Sequence, residues 1–410
     1  MNKFLLTTAL AGAVVFTAAA EEGPKMSITG SIDSKFVNTH QRDAFRQALS
    51  GPDKGKKLGN NNIATDAYIN FNIKGEVKDG LKYGGLVKLN ANTSKSKKEV
   101  YLKGNERSVA EQVMAFLESG YGRVEVGNYT GVSESMKVNA GTFASATGGI
   151  NGDAQYYWNA ATFDGKDTKE EFVQTANLPT NELGTFGLRG VNAAKLNYYT
   201  PEFSGFRFGA TFIPNTKAFG TASQVAGLTK DASGFKNVFE AGLSYTTEVK
   251  KVGVKLAAVS QFGKNQNVNS PGITDGKKHK NLRAFEVGTN LSYKGFTVGG
   301  SYGDWGKYDV VEQDSSQYGK TSYWTAGVGY ANGPLSVSLT HLQSKRGATE
   351  NNKAAFNKLR NTVLGVDYKV APGVLPYVEF SSFKMDQASQ KEDKNNNKGH
   401  IIMTGIKLNF

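Results

Sequence analysis

A chain of 410 residues with no cysteine, 39% hydrophobic and 21% charged, carries a formal net charge of +13. The missing cysteines exclude a disulfide scaffold and thiolate metal or redox chemistry. Beyond residue 20 there is no apolar run of about eighteen residues, so no helix is expected to span a bilayer.

Residues 1–20 have the layout of a secretory signal: Lys3 gives the positive start, Phe4 to Val15 the apolar stretch, and Ala18 and Ala20 the small-residue pattern before Glu21. Cleavage is expected after Ala20, leaving 21–410 as a single domain. Basic character alone permits nucleic-acid binding. Export argues against that partner and turns the charge toward anionic solutes or the phosphates of surface glycolipid.

Past the leader the chain alternates. Strands are predicted near 26–37, 66–77, 81–91, 109–118, 122–129, 193–202 and 205–213, then near 237–248, 252–262, 283–293, 296–304, 321–331, 334–343, 361–369, 374–384 and 400–410. Apolar residues recur in them at every second position, the period of a strand with two unlike faces. Examples are Phe206, Phe208, Ala210 and Phe212, and at the end of the chain Ile402, Thr404, Ile406, Leu408 and Phe410. Turn pairs at Asp79-Gly80, Ser119-Gly120, Ser204-Gly205, Lys250-Lys251, Lys294-Gly295, Asn332-Gly333 and Pro372-Gly373 join the strands two by two. Long polar stretches separate the pairs.

An even count of about sixteen strands, with short and long connections in turn, predicts an all-β, up-and-down antiparallel barrel spanning a membrane. A propeller would need four shorter strands in each repeat of about forty residues. A soluble sandwich would alternate too. Against it, aromatics gather beside the short turns at Tyr83, Phe206, Tyr245, Tyr293, Phe296, Tyr330, Tyr368 and Phe410. Such a girdle suits the headgroup level of a bilayer. Closure also supplies what disulfides do not, because an open sheet edge in lipid would leave backbone groups unpaired. About sixteen strands enclose more space than side chains fill, so an aqueous channel is expected.

Strand parity then points Lys35, Lys88, Arg123, Lys195, Arg207, Lys255 and Lys407 into the lumen, with Asp33, Glu125, Glu240, Glu286, Asp367 and Glu379. Height along each strand puts Arg123, Arg207 and Lys407 near the short-turn mouth and Lys88 near mid-height. One connection, 130–192, is about twice as long as the period allows, and loops of that length are usually functional.

The chain resembles the Gram-negative trimeric general diffusion porins over its whole length after the leader. YGRVEVGNYTG at 121–131 resembles the strand entering their third loop, and KLNYYTPEFSGFRFGATFIP at 195–214 the hairpin that follows it. The resemblance implies an outer-membrane homotrimer whose third loop, 130–192, folds into the barrel and narrows it. Within GGINGD it makes Asp153 a constriction carboxylate, with Glu134 as a second, and Lys195 stands where the family carries a wall arginine. Lys88 and Lys195 are therefore expected to face Asp153 and Glu134 across the constriction, a transverse field for dipolar solutes. Phe410 is similar to the terminal signal read by the barrel-assembly machinery.

The expected function is passive diffusion of small hydrophilic solutes and ions, with mild anion preference from the basic excess. A solute-selective porin, for instance for phosphate, would need an inward ladder of cations, and a surface adhesin would use the barrel only as an anchor. The loop lysines Lys54, Lys56, Lys57, Lys95, Lys97 and Lys98 are candidates for glycolipid phosphates. No enzyme is expected: the four histidines, His40, His279, His341 and His400, stand at strand ends or in loops without a nucleophile motif. No cofactor is expected, and no metal, since the acidic run Asp164, Asp167, Glu170 and Glu171 fits no cation loop.

Overall fold

The computed structural model describes residues 23–46, 55–77, 80–92, 110–144, 146–160, 171–182, 192–216, 234–265, 278–308, 310–350, 353–388 and 396–410. The expected leader, the lysines at 54, 95, 97 and 98, and the acidic positions 164, 167 and 170 lie outside them.

Sixteen strands follow in chain order: β1 Lys25–Gln41, β2 Asn61–Glu76, β3 Lys82–Asn90, β4 Ala110–Ser119, β5 Gly122–Asn128, β6 Ala194–Tyr199, β7 Phe206–Asn215 and β8 Phe235–Val249. The second half holds β9 Val252–Asn265, β10 Leu282–Tyr293, β11 Phe296–Gly306, β12 Thr321–Asn332, β13 Leu335–Glu350, β14 Lys353–Tyr368, β15 Val374–Asp386 and β16 Asn397–Asn409. Each pairs with its sequence neighbours, and β1 pairs antiparallel with β16, so the sheet is a closed barrel. Phe410 completes the closure: its carbonyl accepts from the Gly30 amide at 2.8 Å, and its own amide donates back to Gly30 at 3.1 Å.

Tight turns make the hairpins. Lys250 and Lys251 both sit at positive φ (50° and 70°), and so do Lys294 and Gly295 (48° and 85°). This is the two-residue geometry whose twist matches that of the flanking strands. Two expected turns are displaced by one residue, to Gly120-Tyr121 and Gly333-Pro334, because Ser119 pairs with Gly122 and Asn332 with Leu335.

Alternation is carried through to burial. On β16, Ile402, Ile406 and Leu408 are exposed while Ile401 and Met403 are buried. Every girdle residue stands on the outer face; Phe206 packs on Tyr245 and Phe296 on Tyr330, each with ring centroids 4.4 Å apart. No helix among the described residues is long and apolar enough to cross a membrane, and the row of exposed apolar side chains belongs to strands.

One expected connection is corrected. β13 and β14 run to Glu350 and from Lys353, where the sequence suggested a long loop from 344 to 360. Backbone pairing continues there although the outward side chains Lys345, Lys358 and Arg360 are charged and end the apolar alternation. The inner face is also not uniformly polar. Leu342, Leu359, Val363, Phe383, Met385 and Ile401 point inward and are buried, in one cluster with Trp158 and Phe172 of the long connection.

Candidate functional site: the inner wall and residues 131–182

The described parts of the long connection, 131–144, 146–160 and 171–182, are bonded to the inner face of the wall, strand by strand. From a short helix at Val132–Ser135 onward, backbone amides donate in turn to inward side chains. Val132 reaches Thr211 on β7 (2.9 Å), Ser133 reaches Glu240 on β8 (3.0 Å) and Ala140 reaches Thr325 on β12 (3.3 Å). Ala146 continues to Asp367 on β14 (3.2 Å), Gly149 to Glu379 on β15 (3.3 Å) and Asn159 to Gln41 on β1 (3.0 Å).

The return path touches the wall again. Ser344 donates to the Val173 carbonyl (2.6 Å), the Trp305 indole N–H to the Asn177 carbonyl (2.9 Å), and the Thr180 amide to Gln261 (3.2 Å). Carboxylates and hydroxyls thus satisfy backbone groups that would otherwise be buried unpaired. Wall positions are glycine where the connection comes close: a Cβ at Gly288 would meet the Val138 carbonyl, one at Gly329 the Phe143 side chain and one at Gly365 the Thr147 side chain.

The charged residues assemble differently from the expectation. Asp153, on the short helix Asp153–Tyr156, is ion-paired with Lys35 of β1, not with Lys88 or Lys195. The same ammonium lies 2.6 Å from Asp33 and 3.5 Å from Asp66, and the Tyr377 hydroxyl donates to Asp33 at 2.8 Å. Asp33 and Asp66 are directly opposite in the β1–β2 register, while Lys407 stands opposite Asp33 on the other side. Three carboxylates therefore converge on one buried ammonium. Such a group of oxygens could in principle hold a cation, but the Lys35 ammonium already occupies its centre.

Lys88 pairs with Glu111 at 3.3 Å and lies 4.6 Å from the centroid of the Tyr68 ring. Glu134 pairs within its own segment, with Lys137 at 2.8 Å. Lys195 is buried and donates to the carbonyls of Tyr129 and Ala193. The direct contacts of Lys88, Lys195, Glu134 and Asp153 are thus with other residues than one another. Parity gave each residue its face, but not the point where the connection crosses the wall.

Nearer the short turns, Arg123 bridges Glu125 (2.7 Å) and Glu118 (2.9 Å), with its guanidinium over Phe116. Arg207 donates to the Thr200 carbonyl at 3.3 Å, over Tyr199, and Lys255 is exposed on the inner side of β9.

Within the connection, Glu182 accepts from the amides of Gln174 (2.8 Å) and Thr175 (3.2 Å) and from the Thr175 hydroxyl. Burial pushes its carboxyl up to about 7, against those hydrogen bonds. Sequence reasoning missed Asp66 as a partner of Lys35, and Gln41 and Gln261 as partners of the connection. Parity together with the β1–β2 register would have found Asp66, whereas nothing local marks the two glutamines.

The Gram-negative porin family matches residues 6–388. The chain belongs to that family. Among solved porins it is similar to the anion-selective porin from Comamonas acidovorans, with a TM-score of 0.59 and 14% identity over 94% of this chain and 100% of that one. A Rhodopseudomonas blastica porin variant gives 0.54 and 14% over the same shares. Among curated relatives, an uncharacterized protein of Rickettsia felis is 24% identical with both chains covered completely. A major outer membrane protein of Pasteurella multocida is 28% identical over 55% of this chain and 58% of its own length. Membership supports an outer-membrane barrel, and the likeness to the solved porins is one of fold.

Proposed function

We propose that this porin is a passive channel for small hydrophilic solutes and ions across the outer membrane, with residues 130–192 folded into the lumen as its constriction. The observation that carries this reading is the pattern of inner-wall partners for residues 131–182. The segment is held against β7 to β15 and β1, while the inner faces of β2 to β5 keep half-exposed polar groups such as Asn70, Lys88 and Gln112. Water and solutes pass along that less filled side.

The reading carries a mild anion preference. Lys88, Arg207, Lys255 and Lys407 supply it, and the three carboxylates around Lys35 temper it. The leader is cleaved after Ala20, the barrel works as a homotrimer as its family resemblance implies, and Phe410 serves as the assembly signal. No catalytic constellation is part of the proposal.

Planar-bilayer recordings test it, together with liposome swelling in sugars of graded size. Current proportional to voltage and concentration is expected, with swelling rates falling steadily as the sugar grows. Saturation of the current at millimolar solute would indicate a solute-selective site, and absence of conductance would indicate an anchor with a plugged barrel.

A further inference from the structure

The barrel closes where β1 meets β16, and toward the long-loop end the outer face of that seam carries two histidines. His40 and His400 are directly opposite in the β1–β16 register. Their rings stack with centroids 5.1 Å apart and planes inclined by 21°. From the β15 side Phe380 stacks on the His400 ring in turn, at 5.8 Å and 25°. Both imidazoles point away from the lumen, since the inward residues beside them, Gln41 and Ile401, are buried.

What surrounds the pair decides what it holds. Asn38 and Ile402, opposite each other, lie to one side of it; Ser382 stands beside His400 on β15, and Lys398 lies to the other side on β16. Arg42, just past β1, donates to the Asn396 carbonyl at 2.8 Å. None of these neighbours is a carboxylate. Hard cations such as Ca2+ and Mg2+ take sets of oxygen ligands, whereas imidazole nitrogen suits Cu2+, Zn2+ and Ni2+. The remaining histidines stand apart: His341 shares a hydrogen bond with Thr362 at 2.8 Å and packs against Trp324, and His279 is buried opposite Val311.

Directly opposite residues on adjacent strands have Cβ atoms about 4.5–5.5 Å apart, a span that one ion held by two imidazoles bridges. The terminal torsion of histidine is broad, so turning the two rings brings one nitrogen of each together, and His40 is exposed enough to turn. We propose that His40 and His400 form a site for a divalent transition metal, Cu2+ in preference to Zn2+ or Ni2+, with water completing the coordination. The ion ties the first strand to the last. A ligand that binds only the folded barrel stabilises it, so the ion serves as a clip on the seam of a chain that has no cysteine. This goes beyond the channel reading and rests only on the closed barrel, because the pair faces away from the lumen.

The test uses the full refolded chain in detergent, without an affinity tag, titrated calorimetrically with Zn2+ and with Ca2+. One Zn2+ per chain should bind, and no Ca2+. Loss of a group that merely supports a metal ligand costs about 10–100-fold in affinity, so removal of a ligand, in His40→Asn or in His400→Asn, should weaken Zn2+ binding about tenfold or more. The double variant should bind no more weakly than either single one, because both rings hold the same ion. His279→Asn with His341→Asn should leave binding unchanged. Undiminished binding by either single variant, or losses that add in the double one, would overturn the proposal. With Cu2+, the paramagnetic resonance spectrum of the unaltered chain should show coupling to two imidazole nitrogens. Zn2+ should also raise the temperature of the heat-modifiable gel shift of the unaltered chain and not that of His400→Asn. Bilayer conductance of the single variants should equal that of the unaltered chain, so failure of the channel reading and failure of this one are separable. If the variants do not fold, acylation of the histidines of the unaltered chain by diethyl pyrocarbonate, read by mass spectrometry, replaces them. Zn2+ should then protect His40 and His400 together, and lack of protection would overturn the proposal.

Discussion

Two sectors of the inner wall share one sequence period and use it in opposite ways. Toward the long-loop end of β13 to β16 the inward positions Leu342, Leu359, Val363, Phe383 and Met385 are apolar, and Trp158 and Phe172 pack on them; Trp158 and Phe383 have ring centroids 5.0 Å apart. On the far side of β1, β2 to β4 turn Asn70, Lys88 and Gln112 inward and keep them half-exposed. A barrel of this size is closed on one side by hydrophobic packing and left wet on the other. The difference lies in what the long connection brings to each wall, not in the strands' alternation.

The largest effect is expected from opening the packed sector. Trp158→Ala removes a fully buried indole and its hydrogen bond to Gln174, at a cost of about 3–5 kcal/mol by cavity formation. The heat-modifiable gel shift should move to lower temperature, and single-channel current should become larger and noisier. An unchanged transition would mean that the sector is not packed as described.

Next is the tie between the two sectors. Lys35→Met leaves Asp33, Asp66 and Asp153 without their shared ammonium. Breaking a buried pair costs about 3–5 kcal/mol; the carboxylates are 18–31% exposed, and screening reduces that to about 1–3 kcal/mol. A reversal potential in a salt gradient should shift toward cations, and Lys35→Arg should restore most of the original value.

On the wet side, Lys88→Glu should change the ratio of anion to cation permeability a few-fold, since one unit charge at 4 Å in water acts with about 1 kcal/mol. It should also lower stability, because the new carboxylate would stand beside Glu111 in place of its ammonium partner. An unchanged reversal potential would remove Lys88 from the solute path.

The smallest effect is local. Because the Glu182 carboxyl titrates near 7 when folded, the folded connection binds its proton more tightly than an unfolded one does. The stability it lends is present in acid and is lost as pH rises from the usual carboxylate range through about 7. Amide exchange at Gln174 and Thr175, corrected for intrinsic rate, should therefore be slower at pH 5 than at pH 8. Glu182→Gln should flatten that dependence.

Much of the wall was legible in advance. Except on β6, which ends at Tyr199 against an expected 202, short-turn ends of the strands fall within a residue or two of the expected places, because apolar alternation and turn residues stop together there. Long-loop ends were read short, most of all on β13 and β14, since backbone pairing continues where Lys345, Lys358 and Arg360 no longer alternate with apolar neighbours. Asp153 and Lys35 were each recognised as facing the lumen, but their partnership was not. A contact between residues 118 apart depends on the path of everything between them.

The sequence by itself determined the strand count, the face on which each side chain stands and the closing role of the last strand, because period-two patterning and turn chemistry act over a few residues. Only the tertiary structure decided which half of the lumen is filled, which lysine meets Asp153, and that His40 and His400 stand side by side. Those depend on the ladder register and on the course of a long connection, which are fixed when the whole barrel closes around it.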